Sequence, residues 1–163
     1  MADALSIFES IVRATPKREP PTEVSRPEHP FETRNIHPKL PNIVERLFDD
    51  GHYAQATFEA FKFVDKEVAR LANSTESGFK LMMAAFPEAA PVIILTNCTS
   101  QTEKDEQKGY QFLFAGSILA IRNPRGHNYG MRDTPDQCLD HLALASLLLR
   151  RLEEAGFTIE DGT

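Results

Sequence analysis

The chain has 163 residues, 18 Lys and Arg against 24 Asp and Glu, a formal charge of −6 and a pI of about 5.4. That length suits one compact domain with extensions, and a hydrophobic fraction of 41% with 11 Phe supplies a core and excludes wholesale disorder. The two cysteines, Cys98 and Cys138, are too few for a disulfide framework or a cysteine-based zinc site, and the acidic balance excludes a protein that coats nucleic acid through a broad positive field.

Along the chain, Leu5, Ile7, Phe8, Ile11 and Val12 give residues 1–14 the apolar face of a short amphipathic helix. Acidic residues stand there where an export signal carries positive charge, and no apolar run reaches the roughly 20 residues of a membrane span, so a cytoplasmic protein without a membrane partner is expected. Five prolines from Pro16 to Pro30 favour extended chain, which makes 15–34 a linker. The helix ahead of it is then either a docking element or a peptide that binds a protein partner.

From Asn35 the pattern is helical. His37-Pro38 opens a helix whose buried face is Leu40, Ile43, Val44, Leu47 and Phe48, closed by Asp49-Asp50-Gly51. A longer helix spans about 52–73, with Ala56, Ala60, Val64, Val68 and Leu71 along one stripe and Phe58 and Phe61 beside it. Gly78–Met83 reads as a short connecting helix, and Pro91–Thr96, β-branched but without a partner strand, as an ordered loop. Ser100–Glu103 is a capping box that starts a helix running to about Asn123-Pro124. Thr134–Gln137 is a second box, starting a helix that ends near Ala155-Gly156. Four long helices without a sheet make an all-α bundle. The domain spans 35–156, followed by an acidic tail over 157–163.

Chemistry concentrates in Arg122-Asn123-Pro124-Arg125-Gly126-His127. Arg122 sits on the last turn of an apolar helix, where its stem packs and its guanidinium reaches out. The Asn-Pro break turns the chain, and Gly126 lets His127 come back toward Arg122. A planar guanidinium binds phosphate oxygens and stabilises developing negative charge, while an imidazole moves protons near neutral pH. RNA brings its own nucleophile in the 2′-hydroxyl, so no metal or cofactor is required. Arg125 and Arg132 are candidate phosphate contacts, and Asn123 either positions phosphate or caps the helix. Glu59 and Lys62, three apart on the second long helix, either orient the Arg-His pair or form a solvated ion pair. The same spacing type recurs at Arg46 and His52, but Asp49-Asp50 beside them repels phosphate. The plain alternative for Arg122 and His127 is a helix C-terminus where cations offset the macrodipole. His37 and His52 read as packing or capping residues, since no further metal ligands accompany them.

The chain resembles the HEPN superfamily of helical bundles, whose ribonuclease members carry an Arg, a polar residue and a His four to six positions beyond the Arg. More narrowly it resembles the Ymh-type family of bacterial and phage proteins. Besides Arg122–His127, the stretches that carry the likeness are Asn35–Pro38, Leu47–Tyr53, Phe58–Lys62, Phe114–Gly116 and Leu142–Leu152. The resemblance implies a HEPN-like four-helix bundle with additional short helices, and a homodimer that places two Arg-His pairs in one cleft. It also implies metal-independent endoribonuclease activity on an RNA substrate, in phage defence or a toxin–antitoxin-like system. A dimer would answer the charge objection, because two copies of Arg122, Arg125 and Arg132 make a local positive well. The rival expectation is a non-catalytic helical interaction or nucleotide-binding module, and a third is a purely structural oligomerisation domain.

Overall fold

A computed structural model describes residues 28–128 and 130–162; the amphipathic helix expected over 1–14 and the Pro-rich stretch up to residue 27 lie outside the described residues. Among the described residues every regular element is a helix: α1 Pro30–Thr33, α2 Asn42–Asp49, α3 Tyr53–Leu71, α4 Gly78–Ala85 and α5 Gln101–Ser117, then a π-helical segment Ile118–Arg122, α6 Asn123–His127 and α7 Pro135–Glu154. Among the described residues no helix is long and apolar enough to cross a membrane.

Helix α3 is the centre of the fold. Its stripe of Ala56, Ala60, Val64 and Val68 is fully buried together with Phe61, as the spacing predicts. The small residues let other helices approach closely, and α2, α4, the π segment, α6 and α7 all pack on α3. Leu142, Leu148, Leu149 and Leu152 of α7 are fully buried, each worth about 1.5–3 kcal/mol of apolar transfer. Phe86 and Phe114 stack with centroids 4.4 Å apart and fill the space between α4 and α5.

Both capping boxes form. Ser100 and Glu103 exchange hydrogen bonds at the start of α5, and Thr134 and Gln137 do so at the start of α7. Hydrogen bonds from Thr99 and from the Ser100 backbone pull the Glu103 carboxyl down to about 2. The first helix, expected from His37-Pro38, starts only at Asn42. The physical reason is Pro41, which drives Leu40 out of helical backbone, so His37–Leu40 forms a turn instead.

Pro91–Thr96 is irregular, as expected, and its alternation still has a partner. Ile93 and Leu95 are buried, and the buried Gln107 amide accepts from the Leu95 N–H at 2.8 Å and donates to the Ile93 carbonyl at 3.0 Å, taking the place of a neighbouring strand.

Two segments at the margins are more ordered than composition suggests. At the end of the span read as linker, His29 caps α1 and the Phe31 ring lies 5.3 Å from Phe48. The span read as an acidic tail is strapped down: Ile159 is buried, Lys39 Nζ donates to its carbonyl at 2.5 Å, and Arg70 donates to the Thr158 carbonyl at 2.7 Å.

Candidate functional site

The rod that carries the Arg-His stretch does not break at Asn123-Pro124. Asn123 keeps helical backbone (φ −63°, ψ −44°), and the chain leaves the helix only at Asn128 (φ −118°, ψ 97°). Proline lacks an N–H and its ring collides with the carbonyl four residues back, here Ala120. The π segment resolves that conflict by widening the helix just ahead of it, with the Asn123 N–H bonding the Ile118 carbonyl five residues back. The expected turn of His127 back toward Arg122 is therefore absent. Five residues at about 100° each carry the two side chains roughly 140° apart around the rod, and no hydrogen bond joins them.

Arg122 is held by α3. Its guanidinium carbon lies 5.5 Å from the centre of the Phe58 ring, and Nη1 donates to Asn123 Oδ1 at 3.2 Å. Nη2 is 4.0 Å from Asp65 Oδ2, close enough for attraction but beyond a hydrogen bond. Asp65 is buried, and its other oxygen accepts from the Gly78 N–H at 2.7 Å at the start of α4. Arg122 Nε is buried without a partner among the described residues. The guanidinium is thus oriented by an aromatic face and a neighbouring amide while no carboxylate hydrogen-bonds it. His127, at the end of α6, is exposed.

Arg125 and Arg132 part ways. Arg125, expected at the phosphate, is engaged by Asp133 through Nε at 2.7 Å and Nη2 at 2.6 Å, and its Nη1 donates to the Ile121 carbonyl at 2.8 Å. Both side chains are buried, and Thr57 Oγ1 donates to the same carboxylate at 3.2 Å. This pair, with Thr57, ties the loop after α6 to α3. Burial pushes the Asp133 carboxyl up, but the hydrogen bonds and charge of Arg125 outweigh it and hold the group below its ordinary 3.8. Beside them, burial and the Arg125 charge hold the His141 imidazole below its ordinary 6.5. Arg132 is exposed and makes no ion pair among the described residues. Of the three arginines expected at the phosphate, Arg125 alone is hydrogen-bonded to a carboxylate among the described residues.

Glu59 and Lys62 form an ion pair, both carboxylate oxygens 2.9 Å from Nζ. Neither bonds Arg122 or His127; Lys62 reaches the neighbourhood through the Phe58 ring, 5.9 Å from its centre. The residues that do hold Arg122, Phe58 and Asp65, share one face of α3 with Lys62 at i, i+4 and i+7. Sequence reasoning passed over Asp65, although an acid beside Val64 in a buried stripe was a signal. Gly126 explains the closeness of the two helices: a Cβ there would lie 2.8 Å from Phe58 Cε2.

The family model described as Protein of unknown function (Hypoth_ymh) matches residues 34–152. The chain belongs to that family. No curated protein and no solved structure matches it. The span matched by the Hypoth_ymh model contains the whole Arg122 environment, from Phe58 and Asp65 to His127 and Asp133. His37 is buried, with Nδ1 accepting from the Lys39 N–H at 3.2 Å and Nε2 facing Glu153 at 3.1 Å, which is a packing and capping role. His29, just outside the Hypoth_ymh match, has ligand-type atoms within 4.8 Å of Glu45 and Asp49. Its two nitrogens are divided, Nε2 on Asp49 at 2.9 Å and Nδ1 on the Phe31 N–H at 3.2 Å, so the ring ties α1 to α2.

Proposed function

We propose that this chain is a metal-independent endoribonuclease, an HEPN-like four-helix bundle built from α2, α3, the α5–α6 rod and α7, that acts in the cytoplasm as a homodimer. The observation that carries the reading is Arg122: a guanidinium pre-oriented on Phe58, with no hydrogen bond to a carboxylate, five residues from an exposed imidazole. In the reaction the 2′-oxygen attacks the adjacent phosphorus and the 5′-oxygen leaves. His127 moves the proton and Arg122 stabilises the charge on the non-bridging oxygens. The products are a 2′,3′-cyclic phosphate and a 5′-hydroxyl. Asn123 steadies the Arg122 fork, and Glu59 and Lys62 support it through the Phe58 ring.

The divergence of Arg122 and His127 within one chain favours a cleft completed by a second copy. The rod offers a face for it. Gly109, Phe112, Gly116 and Leu119 recur at spacings of three and four, Phe112 and Leu119 are 55% and 49% exposed, and a Cβ on either glycine would meet nothing within 4 Å. An exposed apolar stripe on the helix that bears Arg122 suits a symmetric helix pair.

The test is incubation of the full chain with total RNA in EDTA, beside Arg122→Ala and His127→Ala. Intact RNA with the wild type, or equal cutting by all three proteins, overturns the reading. The rival binding-module reading rests on the same divergence of the two side chains. Host growth separates the two. A ribonuclease of a defence or toxin system slows growth on expression and His127→Ala relieves it, whereas a binding module leaves growth unchanged.

A further inference from the structure

Helices α5 and α7 flank a seam that neither fills, for the two are not closely packed on each other. Arg151 of α7 spans it: Nη2 donates to Glu106 at 2.9 Å and to the Leu95 carbonyl at 2.6 Å, and Cζ lies 5.2 Å from the centre of the Tyr110 ring. Glu154, one turn further along α7, shares a cavity with Glu103, one turn further back along α5. The helices are therefore antiparallel at the seam, and one turn in the other direction sets Leu147 opposite Leu113.

Two chemistries follow each other along this seam. At one end a cavity of about 550 Å³ is lined by Glu103, Glu106, Glu154, Ile94 and Phe157, and by no lysine or arginine. Arg151 hydrogen-bonds one of the three carboxylates; its Nη1 is 3.8 Å from Glu154, and the donors to Glu103 are neutral groups of Thr99 and Ser100. At the other end Leu113 and Leu147 are 46% and 47% exposed, and Ile94 is 54% exposed among the acids. Apolar side chains gathered along an acidic rim suit an amphipathic basic segment.

Such a segment precedes the described residues. Leu5, Phe8 and Val12 recur at spacings of three and four, and Arg13, Lys17 and Arg18 follow with no acid between Glu9 and Glu19. The order along the chain matches as well. The described chain starts at Glu28, and His37 lies 3.1 Å from Glu153, beside the acidic end of the seam. Residues 19–27, three of them proline, span about 28 Å as extended chain. The basic residues next to them then arrive at the carboxylates, and the apolar ones beyond reach the leucines.

We infer that residues 5–18 dock in the α5–α7 seam of their own chain, with Phe8 and Val12 on Leu113 and Leu147 and the three cations at Glu103, Glu106 and Glu154. The inference does not rest on the ribonuclease reading, because the seam contains none of the residues that hold Arg122.

The test is hydrogen exchange of the full chain, read by mass spectrometry over peptides covering residues 1–18. Amides of residues 5–14 are expected to exchange at least tenfold more slowly than in a free peptide of the same sequence. Leu113→Asp and Leu147→Asp, both at exposed positions, are expected to remove that protection with an unchanged urea midpoint. Leu119→Glu, on the other apolar stripe of the rod, is expected to keep it. Arg13→Glu is expected to cut protection about threefold, and adding Glu154→Arg to restore it. Exchange equal to that of the free peptide overturns the inference, and so does protection that survives both leucine substitutions. Where a leucine variant also lowers the urea midpoint, the charge exchange decides, and absence of rescue overturns the contact. Protection lost on hundredfold dilution overturns docking within one chain and gives the seam to a second copy.

Discussion

Two arginines three positions apart on one helical turn have opposite fates, and the difference is which carboxylate each meets. Arg125 is sealed against Asp133 with both side chains almost wholly buried. Arg122 stops 4.0 Å short of Asp65 and rests on Phe58. Arg125→Ala is therefore expected to cost about 3–5 kcal/mol by stranding a buried Asp133, read as a lower urea midpoint. Arg122→Lys keeps the charge but loses the flat fork on Phe58, so we expect cleavage to fall by about 100-fold with the urea midpoint unmoved. A parallel loss of stability and activity in Arg122→Lys would assign that residue to structure.

Titration at the same cluster gives stability a signed pH dependence. The folded His141 imidazole sits below its ordinary 6.5, so its contribution is complete above that value and is lost as pH falls beneath it. Asp133, below its ordinary 3.8, contributes above that value and fails at still lower pH. Urea midpoints should decline in two stages on acidification, and His141→Asn should remove the first. Burial also pushes the Cys138 thiol up to about 11, which keeps it protonated and inert, whereas Cys98 is partly exposed. A thiol reagent at pH 8 is expected to modify one cysteine in the native chain and both in urea.

At the scale of elements, the helix starts were the most legible features. A capping box is a four-residue hydrogen-bonding device whose partners are all local, so Ser100–Glu103 and Thr134–Gln137 declare themselves in the sequence. Thr134→Ala is expected to cost about 1 kcal/mol, measurable in the same urea series. The helix end at Asn123-Pro124 was misread because proline is a local signal with two resolutions, termination or a widened turn. The buried Ile118 and Ile121 keep the chain on α3 and select the second. Gly126→Ala tests how closely α6 and α3 must pack. Its methyl would press the Phe58 ring edge, which can swing at little cost in stability but takes the Arg122 platform with it. Cleavage is expected to drop at least tenfold with a urea midpoint near that of wild type.

At the scale of the whole molecule, α3 gathers the other helices and the α5–α6 rod presents an exposed apolar stripe on the helix that bears Arg122. Leu119→Glu places a charge in that stripe. Light scattering is expected to report a dimer for wild type and a monomer for the variant, with cleavage lost in the monomer; a wild-type monomer at micromolar concentration would remove the shared cleft.

Periodicity, caps and composition by themselves determined the all-helical class of the described residues, the buried face of α3 and the starts of α5 and α7. These are properties of single turns or single faces, encoded by residues near one another in the chain. Only the tertiary structure decided that Asp133 would take Arg125, that Phe58 and Asp65 would hold Arg122, that Gln107 would stand in for a strand beside Ile93 and Leu95, and that Ile159 would be buried. Each of those outcomes depends on two groups far apart in sequence competing for one partner in space, and local spacing carries no information about which of them arrives.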